Sequence, residues 1–102
     1  MEQPSAPDDG GEVEVLPIAQ VVARRRAKVV GEIASARVVM KSVARWLEGD
    51  VTDGTGTLVV MWTGRREIAG VRPGQRIAVS GRGAPVKGDA RLGVYNPLYE
   101  LL

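Results

Sequence analysis

Apolar and polar residues alternate with a period of two along most of the chain from Ala27 onward, the signature of half-buried strands. Val29, Gly31 and Ile33 alternate with Lys28, Val30 and Glu32 in a first run. Gly31 inside this run predicts a bulge or sharp bend. A second run, Ala44 to Val51, sets Leu47, Gly49 and Val51 on one face. A third, Thr57 to Thr63, does the same with Leu58, Val60 and Trp62. Between them Asp53-Gly54-Thr55-Gly56 is a dense turn signal.

The alternation breaks over Gly64–Gly70, where Arg65-Arg66-Glu67-Ile68 predicts a short helical turn. Val71-Arg72-Pro73-Gly74 marks a turn that uses Pro at its second position. A fourth run covers Arg76 to Gly83, with Ile77 and Val79 on one face. Lys87-Gly88-Asp89 is a hairpin turn, and a fifth run, Ala90 to Asn96, presents Leu92 and Val94. Leu101 and Leu102 are expected to pack on the end of the fold. Five short strands in about 70 residues, with Gly-rich turns, suit a small all-β barrel better than a two-sheet sandwich.

Residues 1–12 combine Pro, Asp, Gly and Ser without apolar periodicity and read as disordered tail. The stretch from Pro17 to Arg26 fits either a helical turn, with Pro17 at its first position, or an extended lead-in. The organisation is therefore an acidic tail, 1–16, and one β-domain, 17–102. At 102 residues the chain supports a single core, and 44% apolar with 25% charged residues is ordinary for a folded domain.

Charge is unevenly placed. Residues 1–16 hold five acids and no Lys or Arg; removing them from the net +2 leaves +7 on residues 17–102. An acidic tail on a basic body suits a polyanionic partner, or equally a charge kept for solubility. Arg24-Arg25-Arg26 with Lys28 is either a nucleic-acid arm or a place where the acidic tail folds back and competes.

With no His and no Cys, the usual neutral-pH base, thiolate chemistry and the commonest metal ligand are missing from the chain. Gly54-Thr55-Gly56 lacks the Lys-Ser/Thr of a phosphate loop and reads as a turn. Asp50 and Asp53 offer too few oxygens for a metal, and Asp53 is expected to hold its own turn. These features predict a non-catalytic protein without metal or cofactor. No run of about 18 apolar residues predicts a membrane helix. The acidic start Met1-Glu2-Gln3-Pro4 is unlike a secretory signal, so a cytoplasmic protein is expected.

Asp53-Gly54-Thr55-Gly56-Thr57-Leu58 resembles the hairpin between strands two and three of OB-fold nucleic-acid-binding domains. Val71 to Gly81, a Pro-Gly turn leading into a strand that ends at Gly, resembles the fourth-strand lead-in of the same families, and Gly31-Glu32-Ile33 fits their first-strand Gly. The tail Tyr95-Asn96-Pro97-Leu98-Tyr99-Glu100-Leu101 is similar to the end of the wedge OB domain of RecG branch-migration helicases, without the motor domains. Overall the chain resembles small stand-alone actinobacterial OB-fold proteins over residues 27–100. The resemblance implies a five-stranded Greek-key barrel whose ligand, single-stranded or junction DNA, crosses the outer face of strands two and three.

On that face Trp46, Glu48, Asp50, Val59 and Met61 point outward, with Arg91 and Tyr95 beside them on strand five. Trp46 is the leading stacking candidate, or else a cap on the barrel end; Tyr95 is the second. Trp62 reads as core or rim, and Tyr99 as an anchor for the tail. Lys41 and Arg45 near the first loop, Arg65 and Arg66 after strand three, and Lys87 and Arg91 at the last hairpin flank the groove as a phosphate track needs. They are equally placed as ordinary solvated charge. Only 4% of residues are aromatic, and Glu48 and Asp50 put negative charge on the face. Backbone-led binding is therefore expected, with a protein-binding OB module in a repair or replication assembly as the alternative reading.

Overall fold

The computed structural model describes residues 14–41 and 43–102. The architecture is organised by β1, Arg26–Lys41, which is long enough to serve two neighbours in succession. Its first half, Arg26 to Glu32, pairs antiparallel with β4, Arg76–Arg82; its second half, Glu32 to Lys41, pairs antiparallel with β2, Ala44–Thr52. The exchange of partners falls at Gly31 and Glu32. A β-carbon on Gly31 would lie 2.5 Å from the carbonyl oxygen of Thr52, so only glycine lets the strands pass this close. The bulge itself lies further along, between Ile33 and Ser35, where Ala34 is left unpaired and the ladder register shifts.

β2 pairs antiparallel with β3, Thr57–Thr63, through a turn in which the Asp53 carboxylate accepts from Thr55 N–H at 2.9 Å and Thr55 Oγ1 at 2.7 Å. β3 pairs in parallel with β6, Leu92–Tyr95, and β6 pairs antiparallel with the two-residue β5, Ala84–Pro85. Gly83 alone separates β5 from β4, so the sheet curls until its ladder returns to the strand beside its start. β7, Leu98–Leu101, adds an edge to β4. The strand order is β5-β6-β3-β2-β1-β4-β7.

The fold is all-β, as its alternation predicts, but with seven strands among the described residues rather than five. The predicted fourth run, Arg76 to Gly83, is β4, and the two-residue β5 follows it unpredicted; of Leu101 and Leu102, expected to pack on the end of the fold, Leu101 belongs to the added strand β7. The short helical turn expected over Arg65–Ile68 is absent. Positive φ at Gly64 and Gly70 brackets this loop, and a Val71 N–H to Ile68 O bond closes it as a turn. The helical turn lies instead at Ile18–Gln20, a single 3-10 turn followed by extended backbone. It is fastened to the β2–β3 turn: Ile18 N–H donates to Asp53 Oδ2 at 2.9 Å and Ala19 N–H to Thr55 Oγ1 at 3.1 Å. Asp53 is thus fully engaged in joining two turns.

The disorder expected of the tail falls on residues outside those described, apart from 14–16. There Val15 bridges Lys28 in parallel and Leu16 N–H donates to Lys28 O, so ordered pairing starts inside the segment assigned to the tail.

Val29, Ile33, Leu47, Val51, Leu58, Val60, Trp62, Ile77, Val79 and Val94 fill the interior of the curl, and Ile18 and Ile68 join them. These are the inward positions of each alternating run. Trp62 is core, and Tyr99 on β7 meets it edge-to-face with ring centroids 5.7 Å apart, which ties the C-terminal strand down. Among the described residues no helix is long and apolar enough to cross a membrane.

Candidate nucleic-acid interface

The outer face of β2 and β3 is built in rows by the strand registers. Val39, Trp46 and Thr63 lie abreast, then Arg37, Glu48, Met61 and Tyr95, then Ser35, Asp50, Val59 and Gly93. The segment after β5 folds back over part of this face. A β-carbon on Gly93 would lie 2.6 Å from the Met61 methyl and 2.7 Å from a Val86 methyl, so these side chains close over bare backbone there. Val59 and Met61 point outward as predicted, yet they are only 1% and 2% exposed because this segment covers them.

What stays open is a cleft of about 300 Å³. Trp46 and Tyr95 stand at it, Met61 and Val39 contribute apolar surface, and the Val86–Asp89 turn with Lys87 forms a rim. Positive φ at Gly88 and the Asp89 N–H to Val86 O bond shape that turn as the Lys87-Gly88-Asp89 signal predicts. Trp46 is half-buried, and its Nε1–H donates to Glu48 Oε2 at 3.2 Å. Tyr95 is 51% exposed. Asn96 fixes its neighbourhood: its N–H donates to Met61 O, its Oδ1 accepts from Thr63 N–H and its Nδ2–H donates to Thr63 Oγ1, both side-chain bonds at 2.9 Å.

Beside the cleft lies an ionic network that centres on Arg37, a residue that no motif in the sequence marks. Its Nη2 meets Glu48 Oε1 at 2.7 Å and Asp50 Oδ1 at 3.2 Å; its Nη1 reaches Ser35 Oγ and Asp50 Oδ2. Ser35 Oγ donates to Asp50 at 2.9 Å. Arg91 completes the group, with Nη1 3.3 Å from Asp50 and Nη2 2.7 Å from Asp89. The two acids expected to repel a nucleic acid are therefore neutralised from within. Arg91, expected on phosphate, is occupied by Asp50 and Asp89.

Partial burial disfavours the Asp50 charge. Hydrogen bonds from Arg37 and Ser35, with the charges of Arg37 and Arg91, outweigh this and hold the carboxyl below its ordinary value of 3.8. The hydrogen bonds of Arg91 hold Asp89 well below that value too. Both groups bind protons more readily in the unfolded chain. Their contribution to stability is thus complete above roughly pH 5, where unfolded carboxylates are ionised, and fades as pH falls through the lower folded values. Asp50→Asn is expected to cost about 1 kcal/mol at pH 7, given how far Arg37 is open to water. Urea midpoints taken from pH 7 to about pH 2.5 should show this gap closing below roughly pH 4, in the range where carboxylates take up protons; a gap of constant size would refute the ion-pair account.

The other predicted residues divide by strand face. Lys41, expected in or beside the first loop, pairs with Ala44 at the end of the β1–β2 ladder. Arg45 is exposed and, one residue from Trp46, belongs to the opposite face. Arg66 lines a separate groove on that opposite face with Val38, Leu47 and Arg72, and Arg65 is exposed in the same loop. The fold thus brings together Trp46, Met61, Lys87 and Tyr95, sets Arg91 into the adjoining network, and places Arg45 and Arg66 on the far side.

No protein-family model matches the chain, and no curated protein is significantly similar to it.

Proposed function

We propose that this chain is a non-catalytic OB-fold module that binds single-stranded or junction DNA across the Trp46–Tyr95 cleft, through phosphate contacts and limited base stacking. The observation that carries the reading is the cleft itself. Two aromatic side chains from different strands share an apolar floor with a lysine at the rim, and the nearest acids are already paired. Stacking on an aromatic ring and a cation beside it are the elements of sequence-tolerant single-strand binding.

An OB reading is supported by the pairing pattern. Taking β4 and β5 as one strand bent at Gly83, and β7 as an added edge, leaves five strands, with β1 shared between β2 and β4 and a parallel β3–β6 pair. The cleft lies on the strand two–three face beside the last hairpin, where OB barrels bind oligonucleotides.

The test is fluorescence anisotropy of labelled single-stranded, duplex and forked oligonucleotides across a salt series. Affinity should fall with salt with a log–log slope of roughly −0.7 for each phosphate contacted on single strands. A fork preference would favour junction binding; absence of binding to every probe at low salt would overturn the proposal.

A protein-binding role is the second reading, and a different surface favours it. The outward Val59 and Met61 are covered, but Val38, Met40 and Val43 are exposed on the β1–β2 hairpin. Val38 and Met40 alternate with Val39 and so face away from the Trp46 cleft. Val38→Asp with Met40→Asp should abolish association with a protein partner and leave oligonucleotide affinity within about twofold, since the two faces share no side chain.

A further inference from the structure

The sequence places three consecutive arginines at 24–26, running into the start of β1, and the fold adds a fourth. Arg82 lies directly across from Arg26 in the β1–β4 register. Like charges opposite one another on a sheet repel, and among the described residues neither these two nor Arg24, Arg25 and Lys28 meet a carboxylate. The network around Arg37 shows the contrast, since there each acid has its base.

The backbone holds this cluster in a defined shape at the Gly83 corner. Arg24 N–H donates to Gly83 O at 2.7 Å, and Gly83 N–H donates to Arg25 O at 3.0 Å. Arg82 Nη1 donates to Arg24 O at 2.8 Å, which orients its guanidinium. Arg24 itself stands at φ +70°, a conformation that L residues rarely adopt and that persists only where surrounding bonds impose it. Gly83 admits the approach, since a β-carbon there would lie 2.8 Å from Val22 O.

Arg24 and Arg82 line a second cleft, of about 350 Å³, with Ala84, Pro85 and Tyr95. Tyr95 is common to both clefts, so its ring stands between the Trp46 cleft and the arginines.

We propose that the Arg24–Arg82 cleft is a second phosphodiester site, which takes the backbone of a DNA strand as it leaves the Trp46 cleft past Tyr95. This inference rests on the nucleic-acid reading of that cleft. Guanidinium groups that meet no carboxylate among the described residues suit the doubly oxygenated phosphodiester, which accepts two N–H donors from a guanidinium fork. It supplies the cationic contacts that Arg91 and the far-side Arg45 and Arg66 do not provide.

The experiment is a titration of the ¹⁵N-labelled full chain with dodecathymidylate, followed at backbone amides and the Trp46 indole. Shifts at Trp46, Met61 and Tyr95 together with shifts at Arg24, Gly83 and Ala84 are expected. Shifts confined to the first group would overturn the second site and leave the proposed function standing. Shifts confined to the second group would uphold the phosphate site and overturn base stacking in the Trp46 cleft. No shift in either group would overturn both. Arg24→Asn with Arg82→Gln, in which Asn tolerates the left-handed backbone, should make the salt slope shallower by about 1.4, for two phosphates lost. An unchanged slope in a variant whose amide spectrum remains folded would overturn the second site.

Discussion

Replacing Gly31 with alanine is expected to destabilise the fold by about 3 kcal/mol, near the upper end of the usual cost of overpacking. The corresponding fall in Tm for a domain of this size is on the order of 15 °C. The methyl group would meet the Thr52 carbonyl oxygen at 2.5 Å and its carbon at 3.0 Å. Both are backbone atoms, so no side-chain rotation relieves the contact. The strands must separate where β1 passes from β4 to β2, and Val29, Ile33 and Val51 on either side are among the most buried side chains. Gly74→Ala is the control. At φ +92°, with nothing within 4 Å of the added carbon, it incurs backbone strain alone, about 1–2 kcal/mol. Thermal melts followed by circular dichroism should rank the two variants in that order. Equal losses would mean that β1 can shift away from Thr52 and that the crossing is not rigid.

Which of these features the sequence reveals depends on whether local pattern or long-range register decides them. The inward positions were legible because a period of two separates buried from exposed side chains wherever one face meets a core: Leu47, Val51, Leu58, Val60, Ile77 and Val94 all follow from it. Turns with their own chemistry were legible too, such as Asp53 with Thr55 and Lys87-Gly88-Asp89. The short β5 beyond Gly83 was not, because the bend that sets it off is held by Ala23 and Arg25 pairing with Gly83 from the far end of the chain. β7 was hidden for a similar reason: its four residues gain strand partners only from the open edge of β4.

At the interface, the pairing of Glu48 and Asp50 was within reach. A tight hairpin sets Lys41 against Ala44 and hence Arg37 against Glu48. Two acids in alternate positions on one strand are a signal to look for that partner. Placing Lys41 and Arg45 near the first loop, as groove-flanking charges, concealed it and also hid the assignment of Arg45 to the opposite face. The covering of Val59 and Met61 needed the path of the Val86–Arg91 segment, which no local pattern specifies.

Trp46→Ala is expected to weaken single-stranded DNA binding by about 5- to 150-fold, the 1–3 kcal/mol carried by one stacked base. Its folding midpoint should stay close to wild type. Trp46 packs on the outer face rather than in the core, and its one side-chain hydrogen bond goes to Glu48, which keeps Arg37 as a partner. Trp46→Phe should recover most of the affinity, because in the proposed stacking the ring face and not the indole N–H would hold the base. The other tryptophan makes the experiment self-checking. Trp62 is buried against Tyr99, so its emission reports folding, whereas Trp46 at the cleft is the fluorophore that a base stacked there would quench. Oligonucleotide should therefore quench the wild-type protein and leave Trp46→Ala with the emission of a folded core that does not respond. If Trp46→Ala binds as tightly as wild type and with the same salt slope, no base stacks on this ring, and binding would have to come from the phosphate contacts of Lys87 and the arginines beyond Tyr95.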